Sequence, residues 1–156
     1  MSVEIAPDNQ IGPAPDRDEI VRVIRLYTDG IGAHRPEMFE EAFHPSARIY
    51  WIDADGVFRE QLILPTYQAY DPDNLDQWPN MPLKVTARII SVIQAGDVAN
   101  VVLGFDANDD PAQSWLDIHS LLRVEGTWRI MNKTATHATR ADWAGLGARG
   151  SQTAHP

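Results

Sequence analysis

From Asp16 onward, apolar residues first recur at helical spacing. Ile20, Ile24, Tyr27 and Ile31 fall on one side of a helix, with Val23 and Leu26 beside them. Asp16 suits the N-cap, Asp18 and Glu19 suit the first turn, and Gly30 and Gly32 predict the end. A second, short helix is predicted to open at Pro36 and run through "EMFEEAF", burying Met38, Phe39, Ala42 and Phe43. The period then changes. "ARIYWI" (Ala47–Ile52) reads as a strand, "DADG" (Asp53–Gly56) as a turn and "VFREQ" as a short answering strand. Ile63 to Pro82 is aromatic and interrupted by prolines, which predicts a loop with room for one short helix. Three long strands follow, over Lys84–Gln94, Val98–Asp106 and Trp115–Glu125, separated by "AGD" and "ANDDP". A fourth, Trp128–His137, is reached through "EG", a two-residue hairpin signal.

Two helices followed by a meander of long strands is an α+β layout, a strongly curved antiparallel sheet wrapped around the N-terminal helices as a cone. The 156 residues make one domain, with 1–15 expected as a flexible Pro-rich arm, 16–143 as the folded unit and 144–156 as a Gly- and Ala-rich tail. The chain has 13 basic and 22 acidic residues and a net charge of −9, without a basic run, which argues against nucleic acid or an anionic membrane as partner. Neither a membrane span nor a signal or transit peptide is legible, and cysteine is absent, so a cytoplasmic location is expected. The sequence carries no Gly-rich phosphate loop, His–Glu–x–x–His helix or Gly–x–Ser–x–Gly elbow. "DANDDP" around Asp106, Asp109 and Asp110 lacks the glycine and the closing glutamate of a calcium loop, so no metal and no cofactor is expected.

Three stretches, "YTDGIGAHRPEMFEEAFHP", "FHPSARIYW" and "DIHSLLRVEGTWRIMNK", resemble the nuclear transport factor 2-like superfamily. The branch they look closest to is the putative lumazine-binding one, near the polyketide cyclase and ketosteroid isomerase-like groups. The likeness runs from about Asp18 to His137. It implies a cone whose concave face meets the helices at one end and opens as a small-molecule pocket at the other. It also implies a convex face that often meets a second subunit.

The last hairpin carries the candidate chemistry. A two-residue turn at Glu125–Gly126 pairs Arg123 with Trp128, Leu121 with Ile130, His119 with Asn132 and Asp117 with Thr134. Trp115, Asp117, His119, Leu121, Ile130, Asn132 and Thr134 then share one face, and His137 faces away from it. Leu116, Ile118, Ser120, Leu122, Val124, Met131 and Ala135 share the other. The mixed face fits the pocket; the apolar one, with no element left to cover it, fits a homodimer interface. Residues two apart on a strand are about 6.6–7 Å apart, so Asp117 and His119 can converge as an acid/base unit, or as a structural pair at a sheet end. Asn132 could hold a substrate carbonyl and Tyr50 could donate to a developing oxyanion. Trp115 on the same face, with Tyr67 and Trp78 from the aromatic loop, would contact a flat ligand; the loop aromatics could equally cover a sheet edge. The resemblance and this face together imply a cofactor-free lyase or isomerase working by proton transfer on a cyclic or polyketide-like ketone. The alternatives are a non-catalytic binding protein for a small aromatic ligand and a dimeric interaction module without a ligand.

Overall fold

The computed structural model describes residues 2–5, 14–32, 35, 37–68, 85–143 and 146. In chain order the elements are β1 (Ser2–Ile5), α1 (Arg17–Gly32), α2 (Glu37–Ala42), β2 (Phe43–Ile52), β3 (Phe58–Leu62), α3 (Ile63–Gln68), β4 (Val85–Ala95), β5 (Val98–Ala107), β6 (Trp115–Val124), β7 (Thr127–His137) and α4 (Arg140–Trp143). The fold is α+β, as the periodicity predicts: one curved, unclosed sheet with α1 to α3 on its concave side and α4 on its convex side. Among the described residues the sheet has seven strands in the order β1-β4-β5-β6-β7-β2-β3.

The strands from β4 to β7 form the expected antiparallel meander, but two pairings at its flanks are parallel. β2 runs parallel to β7, and β1 runs parallel to the outer edge of β4. Ser2–Ile5, expected within a flexible arm, thus extends the sheet, tied down by a Ser2–Thr86 hydroxyl contact and a Glu4–Arg88 ion pair. Trp78 and the rest of the aromatic loop after Gln68 lie outside the described residues, as does the tail beyond Trp143 except Leu146.

Helix α1 buries Ile20, Val23, Ile24, Tyr27 and Ile31 against the concave face, where Val101, Leu103, Phe105, Leu121 and Ile130 are fully enclosed. Its entry is fixed by Asp16, whose carboxylate is turned to the sheet. Asp16 Oδ2 accepts from Gln94 Nε2 at 3.1 Å, Arg123 Nη1 at 2.7 Å and Trp128 Nε1 at 3.2 Å. One residue therefore ties the start of the helix to β4, β6 and β7.

The β6–β7 turn has the expected two residues. Glu125 and Gly126 both adopt positive φ (51° and 82°), the geometry that matches the twist of a tight hairpin. The expected pairs Arg123–Trp128 and Leu121–Ile130 form, and then the register shifts. Met131 is an extra residue, a β-bulge, so Ser120 pairs with Asn132, His119 with Lys133, Asp117 with Ala135 and Trp115 with His137. Past the bulge each expected partner on β7 is off by one, which exchanges the faces. Asn132 and Thr134 lie on the convex side, whereas Lys133, Ala135 and His137 join Asp117 and His119.

The convex apolar stripe is also partly covered, contrary to the expectation that nothing remained for it. Trp143 of α4 is buried against Ile90 and Leu116, with Val102 and Ala138 beside them. Gly104 makes room for it: a Cβ there would meet the indole at 2.9 Å. Ile118 and Leu122 stay partly exposed, at 39% and 38%.

Candidate functional site

The parity of β6 places Asp117 and His119 on the concave face, and α1 closes over them. Both are completely buried, and so, nearly, are Tyr27 of α1 and Lys133 of β7. These four form one cluster. Lys133 Nζ donates to Tyr27 Oη at 2.6 Å and lies 3.4 Å from Asp117 Oδ2. Tyr27 Oη donates to the same Oδ2 at 3.1 Å, and His119 Nε2 stands 3.5 Å from it. Tyr67 of α3, stacked on Phe39 at 4.4 Å between ring centroids, stands close enough to Tyr27 and Lys133 to help raise the pKa of both.

The cluster is an ion pair held out of water. Burial alone would push the Asp117 carboxyl up, but the Lys133 ammonium, helped by His119 and the Tyr27 hydroxyl, outweighs it and holds the carboxyl below its ordinary value. Burial likewise pulls Lys133 down, and the charge of Asp117, with Tyr67, more than reverses it. Tyr27 is driven well above the usual phenol range by burial first and by Asp117 second, so it stays a hydroxyl. For His119 burial wins over the attraction of Asp117, and the ring is neutral at pH 7. Among the described residues, both ring nitrogens of His119 and Oδ1 of Asp117 have no hydrogen-bond partner.

A cleft of ≈ 900 Å³ opens above the cluster. Asp117, Tyr27 and Lys133 form its buried floor. Its sides are largely apolar, with Ile49 and Trp51 from β2, Ile63 and Tyr67 from α3 and Trp115 from β6. Asp53, Gln61, Gln113 and His137 stand at the mouth. A second depression of ≈ 730 Å³ between α2, α3 and the β6–β7 turn takes His44 and Arg129 but no buried ionisable group. His44 itself is occupied locally, its Nδ1 2.7 Å from Ser46 Oγ.

The expected site residues divide. Trp115, Tyr67 and Asp117 line the cleft, and His119 sits behind Asp117 without lining it. Asn132 is on the opposite face because of the bulge at Met131. Tyr50 is also on the opposite face: it pairs with Thr134 and Glu60, and its ring lies 6.2 Å from that of Phe58. Its neighbours Ile49 and Trp51 face the cleft instead. His137, expected to point away, lines the mouth because the bulge pairs it with Trp115. Sequence reasoning missed Tyr27 and Lys133. A lysine in the middle of the strand paired with the one that carries Asp117 was the available signal for Lys133. Nothing separated Tyr27 from the other apolar residues of its helical face.

The family model described as putative lumazine-binding matches residues 15–135. This chain belongs to the putative lumazine-binding family. Among curated proteins no match is found. Solved structures place the family member in the nuclear transport factor 2-like fold. An NTF2-like protein of unknown function from Shewanella baltica OS155 is 22% identical, with a TM-score of 0.64 over 81% of this chain and 98% of that one. One from Methylobacillus flagellatus KT is 21% identical, with a TM-score of 0.64 over 83% and 97%. A putative ketosteroid isomerase from Shewanella frigidimarina NCIMB 400 is 12% identical, with a TM-score of 0.54 over 76% and 94%. At these identities the likeness is one of fold. Among the described residues no helix is long and apolar enough to cross a membrane.

Proposed function

We propose that the cleft binds a small planar carbonyl compound and that the cluster at its floor moves a proton on it, a lyase or isomerase reaction. The observation that carries this reading is the Asp117–Lys133 pair, buried at the base of an otherwise apolar cleft. Burying two charges costs several kcal/mol per ion before their attraction is counted, and strongly perturbed groups in a cleft are what a reacting site needs. Asp117 would take the proton from a carbon beside the carbonyl. The hydroxyl of Tyr67, backed by the Lys133 ammonium, would donate to the enolate oxygen that forms. Returning the proton to a different carbon completes an isomerisation; loss of a β-hydroxyl, which takes the proton held by Asp117 and leaves as water, completes an elimination. A carboxylate held below its ordinary value is a weak base, so the substrate's C–H must already be acidic, as in a vinylogous or benzylic ketone. His119 does not line the cleft and would serve behind Asp117.

The test is deuterium uptake into 2-tetralone in D2O, followed by NMR, with binding read independently from tryptophan fluorescence. The native protein accelerates exchange above buffer, and Asp117→Asn loses about 10²–10⁴-fold of that rate while still binding. Binding with no exchange by either protein favours the second reading, a non-catalytic carrier of a small aromatic molecule, which the family's description favours. We further propose that the uncovered part of the convex face, around Ile118, Leu122 and Val98, joins two copies of the chain. A cytoplasmic location accords with the absence of cysteine.

A further inference from the structure

We infer that the cleft selects uncharged planar ligands that donate a hydrogen bond from a ring N–H or an enolic O–H, and that it rejects anions. The inference rests on the reading of the cleft as the ligand site and adds what the ligand must carry. Asp117 is held by one oxygen only. Oδ2 collects Tyr27 at 3.1 Å, Lys133 at 3.4 Å and His119 at 3.5 Å, whereas Oδ1 has no partner among the described residues. Asp117 lines the cleft although its side chain is wholly buried, and we take its idle oxygen to be the acceptor that a ligand seated on the floor would meet.

A buried carboxylate oxygen left unpaired carries a desolvation cost, which a donor on the ligand removes. An anion offers no such donor and meets the negative charge of Asp117. The Lys133 charge is already balanced by Asp117, and two of its ammonium donors go to Tyr27 and Asp117. The floor as a whole is an acceptor within a neutral ion pair, and the sides supply two indoles and Tyr67 for a flat ring. The chain's net charge of −9 adds to the bias against anions.

Three probes of similar shape separate the outcomes by calorimetry: 2-quinolone, which has a ring N–H; N-methyl-2-quinolone, which has none; and quinoline-2-carboxylate, an anion at pH 7. A hydrogen bond to a charged acceptor corresponds to a preference of about 10- to 150-fold. The native protein is expected to prefer 2-quinolone over its N-methyl analogue by at least the lower figure and to bind the carboxylate weakest. In Asp117→Asn/Lys133→Met, which removes the charge pair together and so avoids stranding either ion, the preference should fall to within a few-fold. Equal binding of the two quinolones by the native protein overturns the donor rule and leaves the cleft reading standing. Tightest binding of the carboxylate also overturns it. Binding of none of the three counts against both the donor rule and the cleft as a site for planar molecules.

Discussion

At the scale of single residues the molecule turns on the imbalance between the two members of its buried ion pair once either is removed. Lys133→Met leaves Asp117 charged and enclosed, and should cost about 3–5 kcal/mol in denaturant unfolding. Asp117→Leu/Lys133→Met removes both charges and should recover most of that stability, or exceed the native value, while losing the preference for hydrogen-bond-donating ligands. If the double variant is no more stable than the single one, the loss in Lys133→Met does not come from stranding the Asp117 charge. His119 sets a second expectation. Its folded pKa lies below its unfolded value near 6.5, so its contribution to stability is fully present above that pH. As pH falls through 6.5 the unfolded chain takes up a proton that the folded ring resists, and the contribution is lost. The melting temperature should therefore drop more between pH 7.5 and pH 5.5 in the native protein than in His119→Leu.

At the scale of elements, the β6–β7 hairpin shows what a local pattern can and cannot carry. Alternation along one strand put Asp117 and His119 on a shared face, because that parity depends on nothing outside the strand. The glutamate–glycine turn was legible for the same reason. The bulge was not: Met131 looks like any other strand residue, yet it moves Lys133 into the cleft and Asn132 out of it. Tyr50 was misplaced because the parity of β2 is set by its parallel pairing to β7, a contact between distant parts of the chain. The helices and long strands were readable to within a few residues because period 3.6 and period 2 persist over many positions. β1 and α4 are four residues each, too short for either period to show. The register can be checked by exchanging two neighbours. Asn132→Lys/Lys133→Asn moves the ammonium to the convex face and should be destabilised as much as Lys133→Asn alone; a swapped protein as stable as the native one would mean that Asn132 faces the cleft. Helix α4 has its own test: Trp143→Ala should cost about 3–5 kcal/mol by emptying the space over Gly104 and exposing Leu116.

For the whole molecule, the curved sheet presents two unlike faces. Its concave face closes one end with α1 and leaves the other as the cleft, and its convex face keeps Ile118, Leu122 and Val98 partly in solvent. If that face pairs two copies, sedimentation equilibrium at micromolar concentration should give twice the chain mass of 17.4 kDa, and Ile118→Lys/Leu122→Glu should give the single mass with an unchanged cleft. A native protein that sediments as a monomer rules the pairing out. The account of the cleft itself rests on Asp117 being an ionised carboxylate in contact with whatever the cleft holds. ¹³C NMR of protein labelled at the aspartate carboxyl carbons measures this directly. The Asp117 signal, assigned by its loss in Asp117→Asn, should remain that of a carboxylate down through the pH range where ordinary aspartates protonate, and it should shift when 2-quinolone is added at pH 7. A signal that titrates with the exposed aspartates, or that ignores the ligand while calorimetry reports binding, would contradict the account.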